Sequence, residues 1–311
     1  MNALRKNLLS LLGTLPVLLA IALFLCAPVK YAACVRDGVS LWAVSVLPSI
    51  FPFLFLTAIL TKTRLFSAFS RRASPVTQRL FKLSGACGSI FFLSVLSGYP
   101  VGARTLSDCA RAGAIPREEL FRAACLSSTS GPVFLVGVVG GAMLQRPALG
   151  WLMLLCHLLG VMLVCFFLSL GTKKAPTAAP PPLFRKSETL LYDSLYSAVI
   201  SVLCVGGSIA LFACFSQMAC DLLPVGDGLG AAVLKGLFEM TSGCAALTKD
   251  PTPLSLALCC FFITFGGLCV LMQQLAYLTG AGVKAAPFML VKLVQGLIAG
   301  GLCYLLSLLV L

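Results

Sequence analysis

Charged residues are scarce in this 311-residue chain: they make up 11% of it, whereas hydrophobic residues make up 59% and the mean hydropathy is +1.02. A typical soluble domain carries roughly 25% charged residues, because its surface must be covered with polar groups. This shortage excludes a soluble globular protein, and the abundance of apolar residues excludes a disordered or fibrous chain. The remaining class is a protein that crosses a membrane several times.

Acidic residues and histidine are also scarce, with 10 Asp and Glu against 23 Lys and Arg and a single histidine, His157. No spacing of these residues is typical of a metal site, and no nucleophile is paired with a base. We therefore expect no enzyme, no metal and no other cofactor, and we expect His157 to be packed within an apolar helix. The net charge of +13 accompanies no nucleic-acid-binding motif, so we expect no nucleic acid partner and attribute the charge to membrane topology.

The 15 cysteines include no Cys-x-x-Cys pair, are odd in number and lie mostly in apolar runs. Cysteine is a small residue that is readily buried. We therefore expect reduced thiols within the membrane rather than a disulfide framework.

Apolar runs predict about seven helices that cross the bilayer, since about 20 residues are needed for one span. They cover residues 8–28, 41–60, 121–143, 148–171, 193–219, 254–279 and 285–311. Residues 62–82 are predicted to form a loop with six basic residues and no acidic one, so this loop and the N-terminus are expected in the cytoplasm. The resulting topology places 17 of the 23 basic residues on the cytoplasmic side.

Two further apolar segments are interrupted by glycine, serine, threonine or proline: residues 84–107 around Ser97–Pro100, and residues 229–247 around Thr241–Gly243. Backbone that leaves the helix at membrane depth is tolerated only inside protein or beside a water-filled cavity. We predict that each segment is a re-entrant hairpin of two half-helices. The first would enter from the cytoplasm and the second from the opposite side.

The two halves of the chain repeat the same order of spans and breaks in opposite directions, which predicts an inverted-topology repeat. In this repeat Ser97-Gly98 corresponds to Ser242-Gly243, and Ser128–Gly131 corresponds to Thr264–Gly267. Many secondary transporters use such repeats and place their sites near the midplane, at broken helices. The alternative reading is that the small residues only permit close helix packing.

The predicted fold is thus an all-α polytopic membrane protein with two re-entrant hairpins and an inverted repeat. Its domains are an N-terminal transmembrane helix at 1–36, a first repeat at 37–172, a cytoplasmic Pro-rich linker at 173–192, a second repeat at 193–284 and a C-terminal transmembrane helix at 285–311.

Four motifs resemble a known family. They are Ser97–Thr105 (SGYPVGART), Ser128–Pro132 (STSGP), Phe238–Gly243 (FEMTSG) and Phe265–Gly267 (FGG). Together they resemble the sporulation integral membrane proteins of the YlbJ type, within the wider group that carries a gate, or nucleoside-recognition, domain. The likeness extends from about Leu41 to near the C-terminus.

The resemblance implies a multipass protein of endospore-forming bacteria that moves dipicolinate from the mother cell across the outer forespore membrane. Its partners would be a small-molecule anion, the lipid bilayer, and a second copy of the chain or other sporulation membrane proteins.

Dipicolinate is a planar aromatic dianion, so a site for it needs hydrogen-bond donors, positive potential and an apolar slot. Helix N-termini at the breaks offer N–H groups and a favourable dipole, and nearby side chains offer hydroxyls. The candidate substrate-binding residues at the breaks are Ser97, Gly98, Tyr99, Ser128, Thr129, Ser130, Gly131, Thr241, Ser242, Gly243 and Gly267.

Five more polar residues lie near membrane depth. Arg104 either makes a bidentate hydrogen bond to a carboxylate or lies at the membrane interface. Gln273 and Gln274 are expected to line the substrate path. Glu239 either carries a coupling proton or pairs with Lys235 four residues earlier. Lys292 is either an ion partner or extends to the membrane surface.

The leading hypothesis is a permease for a small organic anion. A nucleoside or other small-solute permease of the same architecture is the first alternative. A non-transporting assembly protein of the forespore membrane is the second.

Overall fold

The computed structural model describes residues 2–60, 62–172, 189–226 and 228–311, and within these ranges it is helical with no strand. Five of the described helices are long and apolar enough to cross a membrane, or six if one bent pair counts as a single span. The prediction of an all-helical multipass membrane protein is confirmed. The number of seven spans, the inverted orientation of the halves and the re-entrant placement of the hairpins stay predictions.

The first half contains eight helices and two π-helical segments. They are α1 (Asn2–Cys26), α2 (Pro28–Leu41), a π-helical segment at Trp42–Val46, α3 (Leu47–Leu60), α4 (Arg64–Phe81), α5 (Gly85–Ser97), α6 (Val101–Arg111), α7 (Arg117–Leu126), a π-helical segment at Val133–Met143, and α8 (Pro147–Ser169).

The second half begins after the predicted linker, of which residues 173–188 lie outside the described residues. Its elements are α9 (Leu190–Leu222), α10 (Leu229–Phe238), α11 (Met240–Leu247), α12 (Pro253–Phe265), α13 (Gly267–Leu278), a 3₁₀ turn at Thr279–Ala281, and α14 (Ala285–Ser307).

The second predicted span, 41–60, is shorter than the helix that the structure shows there. Helix α2, the π-helical segment and α3 form one apolar helix from Pro28 to Leu60, and the break from α1 lies at Ala27. Proline suits the first turn of a helix, which explains the start. Polar residues near that start are accommodated because Asp221 on α9 accepts hydrogen bonds from Lys30 Nζ at 2.7 Å and Tyr31 Oη at 2.8 Å.

The basic segment 62–82 was expected to be a loop, but residues Arg64–Phe81 form helix α4. Its basic residues alternate with apolar ones, a pattern that suits an amphipathic helix. Charge keeps such a segment out of the bilayer core, but it does not prevent a helix at the surface.

Long helices of the two halves pack side by side. The continuous helix α2–α3 lies along α9, and α8 and α12 both pack against α14. Gly160 permits the approach of α8 to α14, since an added Cβ would lie 2.8 Å from Cβ of Ala299.

The broken helices interlock across the halves. The α5–α6 pair of the first half packs against α13 of the second half, and α11 contacts the π-helical segment Val133–Met143 of the first half. Each broken pair therefore contacts the second break of the other half, which places all four breaks in the centre.

Three of the breaks lie at the predicted positions. Gly98 between α5 and α6 has φ of +71°, and Gly266 between α12 and α13 has φ of +97°. This left-handed backbone favours glycine, since other residues meet a steric penalty there. Residues 127–132 separate α7 from the following π-helical segment.

The remaining break lies at Glu239, two residues before the predicted Thr241–Gly243. Glu239 is extended, with φ of −144° and ψ of 112°, and Thr241, Ser242 and Gly243 already belong to α11. The prediction was wrong in position because a carboxylate acts as the N-cap of α11 here, so no glycine is needed to end α10.

Candidate functional site

A central cavity of about 70 Å³ lies where the four breaks meet. Its walls include residues at the starts of α6, α11, α13 and the π-helical segment Val133–Met143. The predicted site residues that line it are Ser97, Gly98, Tyr99, Ser130, Gly131, Glu239, Thr241 and Gln273. Residues that are far apart in the sequence, from both predicted repeats, thus form one wall.

The rest of the central cavity is largely apolar. Aliphatic and aromatic side chains from the first π-helical segment, α3, α9 and the second π-helical segment complete its walls: Val46, Ile50, Phe53, Leu54, Phe134, Val205 and Ile209. No pattern in the sequence distinguishes these residues from other apolar residues. A polar wall facing an apolar one suits a small flat ligand with polar groups at its edge.

The central cavity is small beside typical ligand pockets of roughly 300–1,000 Å³. A solute the size of an aromatic dicarboxylate therefore requires its walls to separate. The structure describes a conformation that is closed around the site.

Tyr99 connects the first break to the second half. Its hydroxyl donates to the carbonyl oxygens of Ile263 at 3.1 Å and Thr264 at 3.3 Å, at the C-terminal end of α12. Carbonyls in a last helical turn have no partner within the helix, so the tyrosine satisfies them. Tyr99 thus lines the central cavity while it holds two breaks together.

His157 makes a second connection between the halves. It is buried on α8 as expected, and its Nε2 accepts from the backbone N–H of Ser130 at 3.0 Å. Its Nδ1 lies 2.9 Å from Oγ1 of Thr264, whose hydroxyl donates to the carbonyl of Cys260 at 2.7 Å. Nδ1 is therefore the donor and the imidazole is neutral.

The role of His157 in joining Ser130 to Thr264 was not predicted from the sequence. A lone histidine in an apolar helix carries no indication of its partners, which come from other helices.

Ser128 and Thr129 were predicted to bind substrate, but they lie behind the cavity wall. The hydroxyl of Ser128 donates to Oε1 of Gln274, and Oγ1 of Thr129 pairs with the hydroxyl of Ser94. Gln274 is fully buried and, unlike Gln273, does not line the central cavity. These side chains fix the second break rather than face the central cavity.

Glu239 is 1% exposed and lies in the wall of the central cavity. Its carboxylate accepts from the backbone N–H of Thr241 at 2.9 Å, and from the N–H and hydroxyl of Ser242 at 2.6 and 2.8 Å. The predicted pairing with Lys235 is wrong, because in the part of the chain that the structure describes no basic group lies within 4 Å of Glu239. Glu239 therefore caps its own helix.

Gly243 and Gly267 serve the packing of the breaks. An added Cβ on Gly243 would lie 2.7 Å from the backbone nitrogen of Gly236, and one on Gly267 would lie 3.1 Å from the carbonyl oxygen of Gly236. Neither glycine lines the central cavity, so for them the packing alternative describes the structure better.

Two outer cavities adjoin the central one at Val101 and Ser201. The first has a volume of about 160 Å³ and is lined in part by Lys62. The second has a volume of about 240 Å³ and is lined in part by Arg104, whose side chain is exposed. Arg104 is thus near the path but outside the central cavity.

A further outer cavity of about 350 Å³ lies toward the other end of α9, lined in part by Lys235, Lys249 and Ser242. Glu239 and Thr241 line the central cavity, whereas Ser242 lines this one. The first turn of α11 therefore forms the partition between them. Basic residues line outer cavities on both sides of the central one, and the acidic Asp37 also lines the last of them.

Lys292 on α14 is fully buried, so it does not extend to the membrane surface. Its Nζ donates to the carbonyl of Ser128 at 2.8 Å and to Oη of Tyr99 at 3.4 Å, and lies 5.5 Å from the centre of the Tyr99 ring. No carboxylate of the described residues lies within 4 Å of it. Burying an unpaired charge costs several kcal/mol, so this position is unusual for a purely structural residue.

A multipass helical protein whose broken helices surround an internal cavity, with outer cavities toward both ends, belongs to the transporter-like class. Comparison with known proteins agrees with this class. Residues 43–147 match the family model described as nucleoside recognition (Gate).

The chain is also 25% identical over 303 residues to the sporulation integral membrane protein YlbJ of Bacillus subtilis (strain 168). The match covers 85% of this chain and 74% of that protein. No solved structure matches the chain. The resemblance inferred from the four motifs is confirmed, and the matches support a transporter-like sporulation membrane protein.

Proposed function

We propose that the protein carries a small organic anion across the membrane by opening the central cavity to each side in turn, and that this anion is dipicolinate during spore formation. The observation that carries the proposal is the meeting of four helix starts from both halves at one cavity. Helix N-termini present N–H groups and positive dipole ends, which favour anions.

Two of these helix starts have a side-chain acceptor and two have none. Glu239 caps α11, and His157 accepts the N–H of Ser130 ahead of the π-helical segment. The starts of α6 and α13 have no side-chain cap. Val101 in the first turn of α6 and Cys269 in the first turn of α13 line the central cavity, so a carboxylate bound there can accept from free N–H groups of these turns. The N–H of Val101 itself donates to the carbonyl oxygen of Gly98 at 3.2 Å.

The apolar wall and the outer cavities support an aromatic anion in particular. Phe53 and Phe134 offer flat apolar surface to a ring. Arg104 and Lys62 at one end give positive potential, which raises the local concentration of anions. At the other end Lys235 and Lys249 together outweigh the single charge of Asp37.

The test is the uptake of labelled dipicolinate into liposomes that contain the purified protein. We expect saturable uptake, and we expect Arg104→Ala to lower kcat/KM about fivefold, since a near-surface charge contributes up to about 1 kcal/mol. Arg111→Ala is the matched control, because Arg111 lies two turns further along α6 and lines none of the four cavities described above. Uptake equal to that of empty liposomes would contradict the proposal.

A nucleoside permease is the second candidate. The family model that matches residues 43–147 is described by nucleoside recognition, and none of the residues that line the central cavity is basic. Hydroxyl and amide groups at Ser97, Ser130 and Gln273 suit a neutral ligand. Unlabelled nucleosides that abolish dipicolinate uptake, and are themselves taken up faster, would favour this candidate.

A further inference from the structure

We infer that Lys292 is a proton-carrying residue that couples proton movement to anion movement, so that the protein works as a proton–anion symporter. This inference rests on the proposed anion transport. It concerns a residue that does not line the central cavity, and it assigns the energy source of the transport.

The surroundings of Lys292 satisfy a neutral amine more fully than an ammonium. Its described oxygen acceptors are the carbonyl of Ser128 and the hydroxyl of Tyr99. Two acceptors match the two N–H groups of a neutral amine, whereas an ammonium has three. The ammonium is therefore left with one N–H without an oxygen acceptor among the described residues, and only the face of the Tyr99 ring lies near it.

The titratable groups around Lys292 add no fixed negative charge. They are Tyr99 on the α5–α6 break, Cys125 on α7, and His157 and Cys165 on α8. Both nitrogens of His157 are engaged, by the N–H of Ser130 and by Thr264. A protonated Lys292 consequently has no carboxylate within 4 Å among the described residues, and the carboxylate of Glu239 in the cavity wall is held instead by Thr241 and Ser242.

An anion in the central cavity would supply a counter-charge. Tyr99 forms part of the cavity wall and contacts Lys292, so one residue separates the two sites. The anion favours the ammonium, and by reciprocity the ammonium favours the anion. Proton and anion therefore bind together and leave together.

The proton balance of a cycle is simple. The neutral amine takes one proton from the side to which the loaded cavity is open and becomes an ammonium. After the walls close and open again, the anion leaves, and the ammonium returns the proton to the other side. One proton moves with each anion, and no other reactant is required.

The experiment measures dipicolinate accumulation in liposomes with an imposed pH difference, with the membrane potential held at zero by potassium and valinomycin. With one proton per anion, we expect about tenfold accumulation for each pH unit at equilibrium. Lys292→Arg keeps a permanent positive charge, because arginine does not lose its proton in proteins. This variant should exchange labelled for unlabelled dipicolinate but lose the accumulation driven by the pH difference.

Lys284→Met is the matched control, because Lys284 is an exposed lysine at the start of the same helix. It should accumulate dipicolinate like the unaltered protein. Accumulation of about tenfold per pH unit in Lys292→Arg would overturn the inference.

Flux measurements on the unaltered protein alone also test the inference. Downhill dipicolinate flux that ignores the pH difference would overturn the role of Lys292 and leave the proposed anion transport standing. The absence of any flux would overturn both.

Discussion

Tyr99 lies in a break beside the central cavity, and His157 on α8 and Lys292 on α14 each contact residues of such breaks. Tyr99 reaches the end of α12, His157 joins Ser130 to Thr264, and Lys292 reaches Ser128 and Tyr99. Unpartnered polar groups are expensive away from water. These contacts therefore hold the two halves in one arrangement around the cavity.

Replacing His157 with leucine should destabilise the protein. The change leaves the buried N–H of Ser130 without its acceptor, which costs about 1–3 kcal/mol. We expect a lower thermal midpoint in detergent for His157→Leu. The control is Leu159→Ala, since Leu159 is 40% exposed on the same helix. A midpoint for His157→Leu that equals or exceeds that of the control would contradict the assigned contacts.

Replacing Glu239 with glutamine should tighten the binding of a dianion. The N–H of Thr241 donates to Oε1 and that of Ser242 to Oε2, so glutamine keeps one of the two acceptors, and it removes one negative charge from the cavity wall. We expect the KM for dipicolinate to fall about fivefold in Glu239→Gln, with a lower thermal midpoint from the lost acceptor. Glu118→Gln, an exposed acid in the first turn of α7, should leave KM unchanged. A higher KM in Glu239→Gln would show that the carboxylate assists binding.

At the scale of helices, small residues determine how closely the elements approach. The breaks at Gly98 and Gly266 require left-handed backbone, so the sequence could place them. The break at Glu239 could not be placed, because an acidic residue is a weaker indicator of a helix end than glycine. The partners of Tyr99 and Lys292 could not be predicted from the sequence either, since these contacts join segments more than 160 residues apart.

Two glycine substitutions should have opposite effects on stability. Alanine at Gly160 places a methyl group 2.8 Å from Cβ of Ala299, and forced packing of this kind costs about 1–3 kcal/mol. Alanine at Gly301 on α14 meets nothing within 4 Å, so it gains up to about 1 kcal/mol from its better helix propensity. We expect the thermal midpoint to fall for Gly160→Ala and to rise for Gly301→Ala. Equal shifts would mean that α8 and α14 do not pack as closely as described.

At the scale of the whole molecule, each half contains a long helix (α2–α3 or α9), two broken pairs and a last long helix (α8 or α14), in that order. Helix α4 of the first half has no counterpart among the described elements of the second, and the repeat itself stays a prediction. This order was predictable from hydropathy and from the positions of small residues. The opposite orientation of the two halves is predicted from the distribution of charge. Contacts within the molecule do not test this orientation.

Reporter fusions test this orientation. A fusion after Lys82 follows the most basic segment, so we expect it in the cytoplasm, whereas a fusion after Asp227 should lie on the opposite side. An alkaline phosphatase reporter should be active only in the second, and a fluorescent cytoplasmic reporter only in the first. The same reporter active at both positions would exclude the inverted repeat.

The central claim is that a small organic anion passes through the cavity between the four breaks, and obstruction of that cavity tests it most directly. Ser201 on α9 lines the central cavity and both outer cavities at one end, whereas Leu203, two residues away, is 53% exposed and lines none of the cavities described here. The measurement is dipicolinate uptake into liposomes that contain Ser201→Trp or Leu203→Trp, each first checked for folding by size exclusion. The account predicts that Ser201→Trp reduces uptake to the level of empty liposomes while Leu203→Trp stays within about twofold of the unaltered protein, since a side chain facing lipid changes little. Undiminished uptake in a folded Ser201→Trp protein would contradict it.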